Sequence, residues 1–314
     1  MKLSLFDLHC DTAHRMLDEH QPLQSNDLCV SLERAKAYEQ YVQVMALWTP
    51  PAYSDADGWS YTCRMLENLL CDRAIRTEQA VILPNASPSP KHPPKASLYL
   101  SVEDARILDG RLGRVDQLYQ MGVRILTPLW AGHTCIGGAH DTDAPLTEFG
   151  KLAASRAAKL GMILDVSHAS EASAEELIAI AQAHGRPAIA SHSNAYAISP
   201  VSRNLRDEQI LTIIRTGGLI GINLHAPFLN CERDATVEDV LRHVEYISAL
   251  GGENVLAFGC DMDGCKMPAQ IPDLAFLMRI AETLARHNYP EAFIRGIFYD
   301  HADRFRNTYL CQTH

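Results

Sequence analysis

Short apolar runs alternate along the chain with longer stretches in which apolar residues recur every three or four positions. Eight of the runs read as strands: 3–8, 41–47, 97–102, 124–129, 162–166, 188–191, 219–224 and 255–259. Several are apolar at nearly every position, the pattern of strands covered on both faces rather than half exposed to water. Helical periodicity fills the intervals, most clearly at 149–160, 207–216 and 274–287. Ser173 and Glu176 read as a reciprocal cap at the start of one further helix, closed by Gly185. Thr236 opens another, which stops at Gly251 and Gly252. Strands and helices in this alternation predict an α/β fold, a (β/α)8 barrel, in one domain spanning 1–314. Such a barrel takes about 250 residues, so the surplus is expected in loops, notably the proline-rich stretch 84–95. The rival, an open doubly wound sheet, calls for a glycine-rich phosphate loop after the first strand, and none is present.

Composition narrows the partners rather than the fold. The formal net charge is −10 and lysine and arginine form no dense run, which disfavours nucleic acid and anionic membranes. No apolar run approaches the roughly 20 residues of a membrane-spanning helix. The apolar part of MKLSLFDLHCDT is too short for a secretory signal. The nine cysteines are odd in number and scattered without a CxxC pair. A reducing compartment, and hence the cytoplasm, is the expected location.

The placement of His, Asp and Glu changes the picture. His9 and Asp11 end the first predicted strand, Glu103 the third, His168 the fifth and His192 the sixth, while Asp261 and Asp263 follow the eighth. Residues two apart on a strand face the same side, so His9 and Asp11 are expected to share the barrel mouth. The C-terminal ends of barrel strands are where active sites are built. One histidine there is ordinary; several histidines and carboxylates at equivalent ends of different strands are not explained by packing. Histidine and carboxylate without thiolate suit zinc or a similar divalent ion. A lone catalytic zinc takes about three protein ligands. The larger set predicts two Zn2+ or similar ions sharing a carboxylate, activating a bridging water and polarising a carbonyl.

In these residues the chain resembles the membrane (renal) dipeptidases and their bacterial relatives, within the amidohydrolase-like barrels. The segments that carry the resemblance are Asp7-Leu-His-Cys-Asp-Thr12, Leu100-Ser-Val-Glu103, Gly161-Met-Ile-Leu-Asp-Val-Ser-His168, Ser191-His-Ser-Asn-Ala-Tyr196 and Phe258-Gly-Cys-Asp-Met-Asp-Gly264. The resemblance implies one zinc on His9 and Asp11, a second on His168 and His192, and Glu103 bridging them. It implies Asp261 as the acid/base group, with Asp263 structural. Arg203 of Val201-Ser-Arg-Asn204 matches the arginine that holds the C-terminal carboxylate of a dipeptide, a task suited to a planar guanidinium. C-terminal D-residues are tolerated in the family, and a homodimer is the assembly the resemblance suggests. The chain departs from the pattern where the mammalian enzyme places a carbonyl-contacting histidine after the fourth strand. Trp130 stands there, with His133 the nearest histidine. Trp130 is expected to shape the pocket wall, with His133 as the alternative contact to the carbonyl.

His14, His20, His140, His225 and His243 receive no role and read as surface or supporting residues; Cys10, Cys260 and Cys265 read as packing. The expected activity is metal-dependent hydrolysis of dipeptides. The same site could instead open a cyclic amide, lactone or β-lactam. A binding protein without turnover would have lost a ligand or Asp261, and neither is lost. A phosphoesterase calls for more N-terminal histidines and a more basic pocket. No lysine stands at a strand end to serve as a carbamylated bridge.

Overall fold

The computed structural model describes residues 2–83 and 94–310. Eight strands pair in parallel in one curled sheet: β1 (Leu5–Cys10), β2 (Tyr41–Trp48), β3 (Ala80–Ile82), β4 (Ala96–Glu103), β5 (Val123–Thr127), β6 (Ile163–Leu164), β7 (Ile220–Ile222) and β8 (Leu256–Phe258). Their order is β6-β5-β4-β2-β1-β8-β7, with β3 beside the first half of β4. The predicted strand at 188–191 forms no ladder. It makes two single parallel bridges, Asp165 to Ile189 and Ala190 to Ile220, which join β6 to β7 and close the ring. The fold is thus the predicted (β/α)8 barrel, with one stave reduced to single bridges.

β3 has three residues, too few for its apolar run to stand out in sequence. It occupies the edge of β4 at Ala96–Leu98, ahead of the point where β5 joins at Leu100. The helix expected to start at Ser173 begins at Glu171. Its cap is Ser170, whose Oγ accepts from the Ser173 amide, while the Ser173 hydroxyl donates to the Gly138 carbonyl. Thr236 opens the helix Val237–Ile247, as expected, and caps it reciprocally with Asp239. Of the 84–95 excursion, residues 84–93 lie outside the described residues.

Two apolar cores support the ring. The larger fills the space between strands and helices, with Leu47, Leu98, Leu126 and Leu164 packed in it together with Ala157, Leu177, Ile213 and Val244. The smaller runs up the middle of the barrel: Phe6, Val42, Val44, Tyr99, Ile125, Ile163, Ile189, Leu219 and Ala257. Phe6 stacks on Tyr99 with ring centroids 6.2 Å apart. Ala302 and Phe305, from the helix His301–Tyr309, close the column from below.

Strand β1 departs from strict alternation in a way that matters above this column. Its register against β2 steps from Asp7–Gln43 to Cys10–Met45, one residue more on β1 than on β2. Phe6 and Leu8 belong to the inner column, whereas Leu5 and Cys10 belong to the outer core. The bulge therefore turns His9 inward on top of Leu8. Asp11 is not on the strand, as expected from sequence, but at the cap position of the helix Thr12–Asp18.

Candidate metal centre and substrate cavity

A cavity of about 550 Å3 opens where the barrel strands end, and its lining includes Asp11, Glu103, His168, Arg203, Asp261 and Trp130. His9 and His192 lie directly beneath, almost fully buried. The sequence-predicted ligands are thus brought together from β1, β4 and the turns that follow β6, the 188–191 segment and β8.

Glu103 stands at their centre. Its Oε1 lies 2.8 Å from His168 Nε2 and 3.3 Å from His192 Nε2, while Oε2 lies 3.3 Å from His9 Nε2. His9 Nε2 is in turn 3.5 Å from Asp11 Oδ2 and 3.9 Å from Asp261 Oδ1. Two ligand groups therefore overlap, His9/Glu103/His192 and His9/Asp11/Asp261, each with its candidate ligand atoms within 4.8 Å of one another.

The hydrogen bonds on the far side of each imidazole decide which nitrogen faces inward. His168 Nδ1 lies 2.9 Å from the Trp130 carbonyl, which can only accept, so this nitrogen carries the proton. His192 Nδ1 lies 2.6 Å from Ser191 Oγ, and that hydroxyl donates to the Asp165 carboxylate. Ser191 Oγ must then accept from His192. In the neutral rings both Nε2 lone pairs point at each other, 3.0 Å apart, and at Glu103. Three acceptors converging in a buried space call for a shared positive charge, and burial, which lowers the pKa of both imidazoles, disfavours a proton in that place. Both nitrogens of His9, and Oδ1 of Asp11, are buried without a hydrogen-bond partner. The donor set fits divalent metal.

Charge is distributed unevenly over the cluster. Burial, then Arg203, lowers the pKa of His168; burial, then His9, pushes His192 well below its ordinary value. For His9 burial acts in the same direction, but Glu103 and Asp11 outweigh it and the net shift is upward. Glu103 is held well down by His9 and His168 against the effect of burial. Asp261 is pushed up to about 8, mainly by burial, with Asp11 and Glu103 adding to the rise and His9 opposing it.

Backbone geometry at these turns is unusual. His168, Asp261 and Asp263 all have left-handed φ, at 68°, 60° and 68°, a region that costs non-glycine residues energy and clusters at functional sites. The turn after β8 also depends on close approach. A Cβ on Gly264 would sit 1.9 Å from Asp11 Oδ2, and one on Gly259 would sit 1.7 Å from the Ser191 carbonyl. Only glycine lets these segments close over the cluster.

Asp261 and Asp263 separate clearly in their surroundings. Asp261 faces the cavity with Oδ2 held by Asn223 Nδ2 at 3.0 Å. Both oxygens of Asp263 are engaged in the frame, accepting from Thr12 Oγ1 and the Cys29 amide, each at 2.6 Å. Arg203 is buried. Nη1 donates to Ser193 Oγ and Nη2 to the His192 carbonyl, both at 3.1 Å, while Nε has no partner. It forms no ion pair with any described carboxylate within 4.0 Å.

Trp130 lines the cavity and meets Trp48 edge-on at 5.3 Å. His133 is exposed, pairs by backbone with Gly138, and is absent from the cavity lining. Three histidines that sequence reasoning left as surface or supporting residues, His14, His140 and His225, do line the cavity. Asn223 and Asp165 were missed as well. Asp165 takes hydrogen bonds from Thr127 Oγ1 and from the Ser167 and Ser191 amides, and so anchors both His168 and His192 turns. A polar residue inside an otherwise apolar strand was the available signal for each.

Comparison with known proteins places the chain in a family whose fold it shares. The model of the membrane dipeptidase family (peptidase family M19) matches residues 1–306. The "uncharacterized protein in pqqA 5'region" of Klebsiella pneumoniae is 32% identical over 202 residues, covering 60% of this chain and 73% of that protein. Among solved structures, dipeptidase AC, a metallopeptidase of family M19, superposes with a TM-score of 0.88 at 22% identity, over 99% of this chain and 100% of that one. A metallopeptidase from Rhodobacter sphaeroides, solved with a phosphinate mimic of the dipeptide L-Ala-D-Ala, gives a TM-score of 0.86 at 22% identity, over 98% and 100%. With the family model matched over nearly the whole sequence and the fold shared in full, the chain belongs to the membrane dipeptidase family, peptidase family M19, a family of metallo-dipeptidases.

Proposed function

We propose that the protein hydrolyses dipeptides at a pair of divalent ions, zinc in the first instance, and accepts a D-residue at the C-terminal position. One observation carries the reading: His168 and His192 converge on Glu103 in the cavity that also holds a buried guanidinium with no carboxylate partner. On this reading His9 and Asp11 would hold one ion and His168 and His192 the other, with Glu103 shared between them. Bound there, the ions would lower the pKa of a water and polarise the amide carbonyl.

The chain's own residues then have distinct tasks. The free N–H groups of Arg203 take the substrate carboxylate, which sets the scissile amide over the cluster. Asp261 accepts a proton as water adds to the carbonyl carbon and delivers it to the leaving nitrogen as the C–N bond breaks. Asn223, by holding Oδ2, leaves Oδ1 for that transfer. Asp263, with both oxygens already engaged, takes no part in it. Trp48 and Trp130 form an apolar wall for a side chain. Support for the D-residue is the likeness to the Rhodobacter sphaeroides metallopeptidase and the mimic it was solved with. The free state of every described cysteine suits a cytoplasmic setting, and no described helix is long and apolar enough to cross a membrane. A homodimer remains the proposed assembly on family likeness.

The test is a dipeptide library assay on zinc-reconstituted protein, pairing L,L with L,D members and free with amidated C-termini. Turnover of free dipeptides, L,D members included, with about two ions per chain by elemental analysis, is the expected result. Turnover of lactones or cyclic amides with no dipeptide cleaved would overturn it.

A further inference from the structure

Three cavity-lining imidazoles, His14, His140 and His225, stand outside the candidate metal cluster and take no part in the proton transfer or carboxylate binding proposed above. Their surroundings differ. His14 Nδ1 is taken up by Tyr61 OH at 2.7 Å, and its ring stands edge-on to Trp48 at 5.1 Å, on the apolar wall. His225 accepts the Lys266 amide at 3.0 Å and packs edge-on against Phe228 at 4.4 Å. His140 is the one set against the cluster itself. Its ring centroid is 5.9 Å from that of His168, and its amide donates to the His168 carbonyl at 2.7 Å.

The far side of the ring is fixed. His140 Nδ1 lies 2.9 Å from Ser202 Oγ, a hydroxyl with no other hydrogen-bond partner given in the structure. With that hydroxyl donating to Nδ1, the proton of the neutral ring sits on Nε2, and a protonated ring carries one there too. Nε2 makes no hydrogen bond to any described residue. Ser202 is also the immediate neighbour of Arg203, so one short turn fixes both the guanidinium and this imidazole.

Addition of water to an amide carbonyl builds negative charge on the carbonyl oxygen, and a fixed donor beside it lowers the barrier. Arg203, His140 and His168 line the same cavity, and His140 lies against the His168 ring and, through Ser202, beside the Arg203 turn, so a carbonyl oxygen set between the guanidinium and the cluster would meet this imidazole. We infer that His140 is the residue that donates a hydrogen bond, through Nε2–H, to this oxygen, and that Ser202 positions it. The bond transfers no proton; water still adds its oxygen to carbon, and its proton still leaves through Asp261. The assignment rests on the dipeptidase reading above, and it removes His133 from the carbonyl-contact role, since that side chain is exposed beyond the lining.

The experiment uses zinc-loaded enzyme with L-Ala-L-Ala and L-Ala-D-Ala as substrates and the phosphinate mimic of L-Ala-D-Ala as a tetrahedral probe. Parent turnover of either dipeptide tests the dipeptidase reading separately, before any variant is compared. His140→Leu is expected to lower kcat by about 10²–10³-fold, with KM and zinc content changed little. By calorimetry it should weaken the phosphinate by a similar factor and the product alanine by less than about threefold, because only the tetrahedral species carries the oxyanion. His140→Gln, which keeps a donor near the Nε2 position, should recover at least about tenfold of the loss, and Ser202→Ala should cost about tenfold through orientation alone. His133→Ala should stay within about threefold of the parent. The inference is overturned if His140→Gln is as poor as His140→Leu, if phosphinate and alanine weaken equally, or if His140→Leu keeps kcat within about threefold. Should His140→Leu fail to fold, the Gln and Ser202 variants decide on the phosphinate readout alone.

Discussion

Removing Arg203 offers the most direct check on how substrate is held. A guanidinium has five N–H donors. Two are committed to Ser193 Oγ and the His192 carbonyl, and the Nε–H is buried without a partner. Three donors remain, one on each nitrogen, enough for a two-pronged grip on a carboxylate. Hydrogen bonds to charged groups contribute about 1.5–3 kcal/mol each, so losing two costs about 3–6 kcal/mol. At about 1.4 kcal/mol per tenfold, kcat/KM should fall by about 10²–10⁴. Arg203→Ala also removes the support under His192, so raw activity loss is ambiguous. A cycle resolves it: parent and Arg203→Ala are each assayed on a dipeptide and on its C-terminal amide, with zinc content measured in parallel. The parent should prefer the free acid by about 10²-fold or more, and the variant should show a preference of less than about threefold. Equal cleavage of acid and amide by the parent, or an unchanged preference in Arg203→Ala, would show that the carboxylate binds elsewhere.

Three further outcomes follow from other parts of the site. Asp261→Asn should lower kcat by about 10²–10⁴-fold with zinc retained, whereas Asp263→Asn should act through thermal stability, because it disturbs the bonds to Thr12 and Cys29; the reverse pattern would exchange their roles. Glu103→Gln should reduce zinc at both positions together in elemental analysis, since both halves of the cluster face its oxygens, and retention of one full equivalent would argue against a shared ligand. His243 accepts the Ala195 amide on Nδ1 and donates to the Leu229 carbonyl, and burial pushes its pKa down to about 4. Its folded value lies below the unfolded value of about 6.5, so its contribution is full above pH 6.5 and is lost as pH falls toward 4, a difference of about 3 kcal/mol. Urea titrations of the parent and of His243→Gln in the same zinc buffer should converge across that window; a constant gap would refute the assignment.

Most of the frame was legible because burial on both faces writes itself as unbroken apolar runs, and seven of the eight predicted runs fall on observed strands. Polar residues interrupting those runs at their ends marked the candidate metal cluster. What escaped depended on contacts between distant segments. The bulge that turns His9 inward is a mismatch between β1 and β2, invisible in either strand alone, and it makes the alternation argument for His9 and Asp11 reach the correct place by an incorrect route. Ser170 rather than Ser173 caps its helix because Gly138, remote in sequence, offers the Ser173 hydroxyl a carbonyl. His140 could not be separated from a surface histidine, because its place is set by the antiparallel bridge of Ala139 to Ala169 and by Ser202. Asn223 needed knowledge of where Asp261 would lie.

The seam between the first and last strands has a kinetic consequence. β1 and β8 share a single paired position, Asp7 with Phe258, continued by a bridge from Cys10 to Met262 and by the Asp261 amide on the His9 carbonyl. The candidate ligand His9 and the proposed proton carrier Asp261 sit on opposite sides of that join. Its closure brings together residues about 250 positions apart, the slowest kind of contact for a folding chain to find. Amides along the join should therefore exchange with deuterium sooner than those of β2 and β4, which share seven paired positions. An ion on His9 and Asp11 would steady the β1 side of the join, so a brief chelator pulse should quicken exchange there while β2 and β4 stay protected.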